Sequence, residues 1–349
     1  MAPAPAPAPV PPPAPVIEAA PPVAETPSPV TMTVKHIALL LPVQAPDFRP
    51  AAEAFQAGFQ ASQMVHGGGL PIRLYGTDGS ADTISKSYVH AVESGARVVV
   101  GPMTRNGVTA LASSPLVMVP TLALNQPEGE VRTNNLYFFG LSVEAEAAMV
   151  ARQAYDDGFK KLAVASTPTA FARRTREAFV QAWRALGGTV IATAEMRADP
   201  GALPALRELG STNAEFIFLA ASFEETRVLR PYLPSQLPVY TTSQVNLRAG
   251  EPQHDLDLEG VRFLDMLWLL APNDPRVSIY PAATGLSSEM SRFYALGIDS
   301  YRIATALAEG QSTFAFEGVT GRIDVTPGRV VERAPWRATF RNGLPVLAQ

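Results

Sequence analysis

The sequence predicts an α/β protein of two doubly wound parallel-sheet lobes in series, preceded by a disordered tail rich in proline and alanine. Three observations carry this. From Val34 onward, short apolar runs alternate with helical patterns, and parallel strands need helical crossovers. Runs such as Ile37–Leu41 (IALLL) are apolar throughout, as expected of strands covered on both faces. The series of βα units occurs twice. The expected division is a linker over 1–33, lobe 1 over about 34–140 and 266–315, and lobe 2 over about 141–265 and 316–349.

Residues 1–30 hold 12 Pro and 8 Ala. Proline lacks the backbone donor, so this segment reads as a semi-stiff polyproline spacer of about 3.1 Å per residue. Its abrupt Met1-Ala-Pro start reads as a trimmed N-terminus. Ile37–Leu41 is the first strand and Pro42 ends it. Ala52, Phe55 and Phe59 at helical spacing predict a helix over Phe48–Met64. A strand at Ile72–Tyr75 and a helix at Thr83–Val92 follow. Then come the strand Val98–Val100, a helix opening at Thr104-Arg105-Asn106, and a strand from Val117 to Leu124 ending at Asn125. Leu136–Leu141 is the last apolar run of the first series, and Ser142 with Glu144 and Glu146 suits a capped helix start.

The second series runs through the strand Leu162–Ala165 and a helix from Phe171 to Leu186 stopped by Gly187-Gly188. A strand at Val190–Thr193 and a helix at Ala202–Leu209 precede the strand Phe216–Ala220. Ser222 and Glu225 form a capping-box pattern in a helix that Pro231 ends. Strands are expected at Val239–Thr241 and Val261–Met266, and a long helix at Ser288–Ala308. Gly318 to Val346 reads as short strands with turns at Pro327-Gly328 and Asn342-Gly343.

Composition narrows the function classes. The chain has 349 residues, a net charge of −4 and no cysteine. A nucleic-acid partner normally needs a basic face, and disulfide or thiolate chemistry is excluded. No run of 18 apolar residues suggests a transmembrane helix. The four histidines (His36, His66, His90, His254) include no pair four residues apart, so no metal site or cofactor is expected. His254-Asp255-Leu256-Asp257 reads as a polar surface turn. Neither a Walker loop nor a G-x-S-x-G elbow is present.

The candidate chemistry lies at the carboxyl ends of strands, where open α/β sheets bind ligands. Met103, Thr104 and Arg105 open a helix whose free N–H groups and guanidinium would suit a carboxylate or phosphate; the alternative is a plain N-cap and a solvated arginine. Asn125 ends the adjacent strand. Thr167, Phe171, Ser222 and Ser243 hold the matching positions in the second lobe, with capping as their alternative. Asp47, beside Phe48, and Asp265 could face each other as a carboxylate pair. Trp268 could cover a ligand or pack a hinge.

Further residues carry a resemblance: His36-Ile37-Ala38-Leu39-Leu40-Leu41-Pro42, Val100-Gly101-Pro102, Asn125, Phe139-Gly140-Leu141-Ser142, Asp265-Met266 with Trp268, Phe293 to Asp299, Gly318-Val319-Thr320-Gly321 and Phe340-Arg341-Asn342-Gly343. From about Val34 to its end the chain resembles type I periplasmic binding proteins. On these residues it is similar, more closely, to the LppC/LpoA lipoproteins, a family of penicillin-binding protein activators. The resemblance implies a periplasmic, outer-membrane-anchored lipoprotein that stimulates a class A penicillin-binding protein in peptidoglycan synthesis and has no reaction of its own. The membrane is then reached only through a lipid anchor missing from this chain, with the tail as a tether. Enterobacterial members of the family carry an extra N-terminal helical-repeat domain, whereas here a Pro/Ala tail precedes the fold. Amino-acid-binding members of the wider fold hold a carboxylate with small hydroxyl residues. Here Thr104 keeps one of them, and Leu124-Asn125 stands where Ala-Thr is common. A solute-binding protein for an amino-acid-like or small anionic ligand, held in the inter-lobe cleft and handed to an ABC transporter, is the alternative reading.

Overall fold

The computed structural model describes residues 34–197, 203–247, 252–326 and 331–348. The Pro/Ala tail, the start of the helix expected at Ala202, the side chain of His254 and the turn at Pro327-Gly328 lie outside the described residues. Residues 34–349 form one compact unit.

Lobe 1 is built on a parallel sheet of five strands in the order β2-β1-β3-β4-β5: β1 (His36–Leu41), β2 (Ile72–Gly76), β3 (Ala96–Val100), β4 (Thr121–Ala123) and β5 (Leu136–Phe138). All six residues of β1 are buried, as its unbroken apolar run predicts. Helices α1 (Arg49–His66), α2 (Ala81–Glu93) and α3 (Arg105–Ala112) supply the crossovers. The expected strand Val117–Leu124 shortens to β4, because Pro120 has no N–H and serves only as an acceptor, from the Val99 N–H at 3.0 Å. Gly101 follows β3 at φ +112°, where a Cβ would overlap the Leu40 carbonyl oxygen. Only glycine lets the chain turn there toward α3.

Lobe 2 contains β6 (Lys161–Ser166), β7 (Thr189–Glu195), β8 (Phe216–Ala220), β9 (Val239–Tyr240) and β10 (Arg262–Asp265), all parallel. They are flanked by α4 (Val143–Asp156), α5 (Ala170–Ala185) and α6 (Phe223–Leu229). The segment expected as a helix up to Leu209 is a 3-10 turn system over Leu203–Ser211. The short helices α7 (Leu267–Leu270) and α8 (Pro275–Ser278) lead to α9 (Ser288–Ala308), which lies against α1 of lobe 1.

The end of the chain divides differently from expectation. Strands β11 (Phe314–Glu317), β12 (Arg322–Val325) and β13 (Val331–Ala334) form a small antiparallel sheet. Ile323 and Val325 are fully buried in the lobe 1 core with Phe59, Leu296 and Tyr301, so 316–326 and 331–334 belong with lobe 1 and not lobe 2. Only after Pro335 does the chain cross, and β14 (Trp336–Arg341) pairs antiparallel with β10 while β15 (Leu344–Leu347) pairs with β14. The turn between them has Asn342 at φ 52° and Gly343 at φ 73°, the two positive values of a type I′ hairpin.

The lobes therefore join at three crossings: Phe139–Ser142, Asp265–Leu267 and Ala334–Trp336. Asp299 of α9 braces the second of them. It is fully buried and accepts from the Val319 N–H (3.0 Å), the Thr320 N–H (2.8 Å) and the Thr320 hydroxyl (2.6 Å). The Val319 carbonyl in turn accepts from the Trp268 N–H at 3.1 Å, which ties the second crossing to the same strap.

Candidate functional site

The loops at the carboxyl ends of the parallel strands carry most of the residues singled out in the sequence. Asp47 and Phe48, after β1, are exposed, and Phe48 keeps 45% of its surface accessible. Met103 and Thr104, after β3, are buried. The Thr104 hydroxyl accepts from the Gly107 N–H at 3.3 Å as the α3 N-cap and donates to the Gly79 carbonyl at 3.2 Å. Asn125 donates to the Met103 carbonyl at 3.1 Å and its Oδ1 accepts from the Gln126 N–H. In lobe 2, the Thr167 hydroxyl donates to Glu225 at 3.0 Å, and Ser222 and Glu225 complete the capping box of α6. Phe171, in the first turn of α5, is half-buried. Capping thus accounts for the bonds of Ser222 and for the Gly107 bond of Thr104, while the Gly79 bond of Thr104 ties α3 to the loop after β2.

Arg105 is not a lone surface cation. It reaches Glu128 at 3.6 Å and Glu144 at 3.5 Å, and Glu144 also receives Arg174 at 2.7 Å and the Ser142 hydroxyl at 2.8 Å. A charge chain therefore runs from α3 of lobe 1 through the start of α4 to α5 of lobe 2. Burial alone would push the Glu144 carboxyl up. Its own backbone N–H, Arg174 and Ser142 outweigh that and hold it at about 2. A depressed carboxylate contributes stability above its unfolded value near 4.5, lost as pH falls toward about 2. Solvent screening limits the effect to under about 1 kcal/mol. In urea unfolding, wild type should therefore exceed Glu144→Gln slightly at pH 6, and the difference should vanish on acidification through that window.

The expected carboxylate pair does not form, because Asp265 is committed elsewhere. It is 3% exposed and accepts from Arg292 Nη2 (2.9 Å), Asn246 Nδ2 (2.8 Å) and the Met266 N–H (2.8 Å). Asp47 sits in a solvent-facing loop. Ser243, after β9, gives both its N–H and its hydroxyl to Glu146, and its carbonyl accepts from Arg292 at 2.9 Å. Trp268 is buried in the hinge against Tyr294, with ring centroids 5.2 Å apart. Of its two sequence alternatives, this position is the packing one.

Ser243, Asp265 and Arg292 line an open pocket of about 120 Å³ whose wall takes a residue from each crossing: Leu141, Met266 and Pro335. Glu146, Asp265, Glu289, Arg292 and Arg333 bring charge to it. Burial pushes the Glu146 carboxyl up and the Arg333 guanidinium down. Of these, sequence reasoning singled out only Asp265. Arg292 did leave a signal, since it lies three and four residues before Ala295 and Leu296 and so falls on the buried stripe of α9. Glu146 left none beyond its place in a first helical turn. Among the described residues, no group of three or more His, Cys, Asp and Glu could hold a metal ion, and no helix is long and apolar enough to cross a membrane.

A family model described as "LppC putative lipoprotein" matches residues 30–205 and 194–343. The chain belongs to the LppC lipoprotein family. Among LppC relatives, "Penicillin-binding protein activator LpoA" of Haemophilus ducreyi is 26% identical over 325 residues, covering 89% of this chain and 54% of that protein. LpoA of Escherichia coli K12 is 26% identical over 308 residues, covering 75% and 45%. The chain spans about half the length of the curated relatives it matches. The LpoA C-domain from Haemophilus influenzae, described as a regulator of PBP1A, superposes with a TM-score of 0.75 at 23% identity, covering 90% of this chain and all of that one. A Chromobacterium violaceum structure described as "a putative branched-chain amino acid ABC transporter" also gives 0.75, at 34% identity, covering 88% and 100%. The fold is thus the one shared by LpoA and binding-protein-like ABC transporter components.

Proposed function

We propose that this LppC protein is a non-catalytic regulator on the periplasmic side of the envelope. It activates a class A penicillin-binding protein, and so peptidoglycan synthesis, by surface contact. An outer-membrane lipid anchor would place it, with residues 1–33 as a spacer. The supporting observation is the family match across both lobes, joined to relatives named as penicillin-binding protein activators. The cleft agrees with this reading. Side chains suited to anchoring a small ligand are already engaged internally: Thr104 with Gly79 and Gly107, Arg105 with Glu128 and Glu144, Thr167 with Glu225. Asp47 and Phe48, exposed after β1, and the half-buried Phe171 at the start of α5 are the side chains we assign to contact there. In a pull-down and a glycan-crosslinking assay with the cognate class A synthase, the full chain should bind and raise the rate. Absence of both effects would overturn the reading.

The 34% identity to the Chromobacterium violaceum protein favours a second reading, delivery of an amino-acid-like solute to a transporter. It requires a ligand that engages Thr104 and Arg105, so Thr104→Ala with Arg105→Ala should abolish any amino-acid-induced thermal shift. A ligand at 100 times its Kd adds about 2.7 kcal/mol, well within detection.

A further inference from the structure

Helix α4 covers only part of one face of the lobe 2 sheet. Its Ala147, Val150, Ala151 and Ala154 pack with Leu264 of β10. Beyond β10 the same face continues onto β14 and β15, and there it lies open. Ala338 and Phe340 point into the lobe 2 core, so the two-residue period of a strand turns Arg337, Thr339 and Arg341 the other way. The register sets Arg262 of β10 and Val346 of β15 on either side of Thr339, and Leu344 opposite Arg341. Leu344 keeps 49% of its surface accessible, and Arg337 and Arg341 are exposed. Gln153 and Asp157, near the end of α4, line the open groove beside this face.

Charge on the face is unbalanced. Arg337 donates to Asp157 at 2.6 Å, and the same carboxylate accepts from the Tyr240 hydroxyl. Glu259, at the rim, accepts from the Asn342 N–H. Arg262 donates only to the uncharged Tyr240 hydroxyl, at 2.8 Å, and Arg341 has no polar partner among the described residues. Two guanidiniums are thus left without an ion pair.

We propose that this face docks an acidic amphipathic helix of the class A synthase, its apolar side on Leu344 and Val346 and its carboxylates on Arg262 and Arg341. The spread of charge argues for a segment over a small anion, because Arg337 and Arg341 lie four residues apart on one strand, about 13 Å. That length is roughly nine residues of helix. Neighbouring helices pack about 8–10 Å apart, close to two strand spacings, so the place beside α4 lies over β14 and β15. The proposal rests on the activator reading and adds a second contact to it. Helix α4 has 14 residues and is about 21 Å long, with Glu144 of the cleft charge chain at its start and Asp157 just past its end. The docking face is therefore well removed from the cleft.

Surface plasmon resonance of the full chain against the cognate class A synthase tests this. Arg341→Glu with Leu344→Asp should weaken binding by at least roughly tenfold. Both side chains are exposed, so the melting temperature should stay unchanged. Should the double variant fail to fold, Arg341→Glu alone gives the same readout. Wild-type binding should fall as salt is raised, and Arg184→Glu, an exposed charge on α5, should leave binding intact. The chain has no cysteine, so Leu344→Cys offers a single attachment point for a benzophenone. The synthase peptide that it cross-links should be helical and carry Asp or Glu on one face. Undiminished binding by the Arg341 variants, equal loss in Arg184→Glu, or a cross-link that is absent or falls on a segment without acidic residues overturns the docking face and leaves the activator reading standing. Failure of the wild type to bind overturns that reading, and the docking face with it.

Discussion

Replacing Asp265 with alanine is expected to destabilise the fold by about 3–5 kcal/mol, the cost of breaking a buried ion pair by removing one partner. Asp265 closes β10, and its two carboxylate oxygens accept from Arg292, Asn246 and the Met266 N–H, all within 2.9 Å. Arg292 already has two nitrogens without partners, so losing Asp265 leaves a nearly bare guanidinium held only by the Ser243 and Asn246 carbonyls. The double variant Asp265→Leu with Arg292→Met should cost far less than the sum of its parts, since no buried charge is stranded. Urea unfolding of the two singles and the double gives the coupling, and additive costs would rule this account out. The pair also joins β10 of lobe 2 to α9 of lobe 1. Asp265→Ala should therefore give an unfolding transition broader than that of the wild type, or split it.

The elements most legible in the sequence were those with the longest or densest apolar pattern. Phe216–Ala220 and Ser288–Ala308 occur at the expected bounds, because one is a short run with every residue buried and the other a long helix capped by Ser287. Where local signals competed, boundaries moved. Pro120 trimmed β4, and the segment before Phe216 settled as 3-10 rather than α. The side of the hinge on which β11–β13 lie was not legible at all. Alternating strands state that one face is buried, but not against which core, and here Ile323 and Val325 turn to lobe 1. The same limit applied to the charges. Glu144 and Glu146 look equivalent at a helix start, two residues apart. One faces Arg105 and Arg174 at the surface, and the other goes inward to Ser243. Which carboxylate enters a core is decided by elements about a hundred residues away, so spacing alone could not separate them.

The same dependence on distant contacts makes Gly297 the position where a small change should be felt most. In an open helix, Gly→Ala gains about 1 kcal/mol from backbone entropy. Here the sign should reverse. A Cβ on Gly297 would overlap the Phe55 carbonyl oxygen and press on the Phe59 nitrogen, and one on Gly58 would overlap the Tyr294 carbonyl oxygen. The two glycines thus let α1 and α9 meet backbone to backbone, and neither obstacle is a side chain that can rotate away. Gly297→Ala should cost about 1–3 kcal/mol by overpacking, and Gly297→Leu more than about 4 kcal/mol. A stabilised Gly297→Ala in chemical denaturation would show that the helices can separate freely. The strain would also spread beyond lobe 1. Helix α9 carries Arg292 to Asp265 and Asp299 to the Val319–Thr320 strap, so pushing it off α1 shifts both braces of the hinge. The Ala variant should accordingly lose hydrogen-exchange protection at Val319 and Thr320 along with the lobe 1 helices, while β6 and β8 of lobe 2 keep theirs.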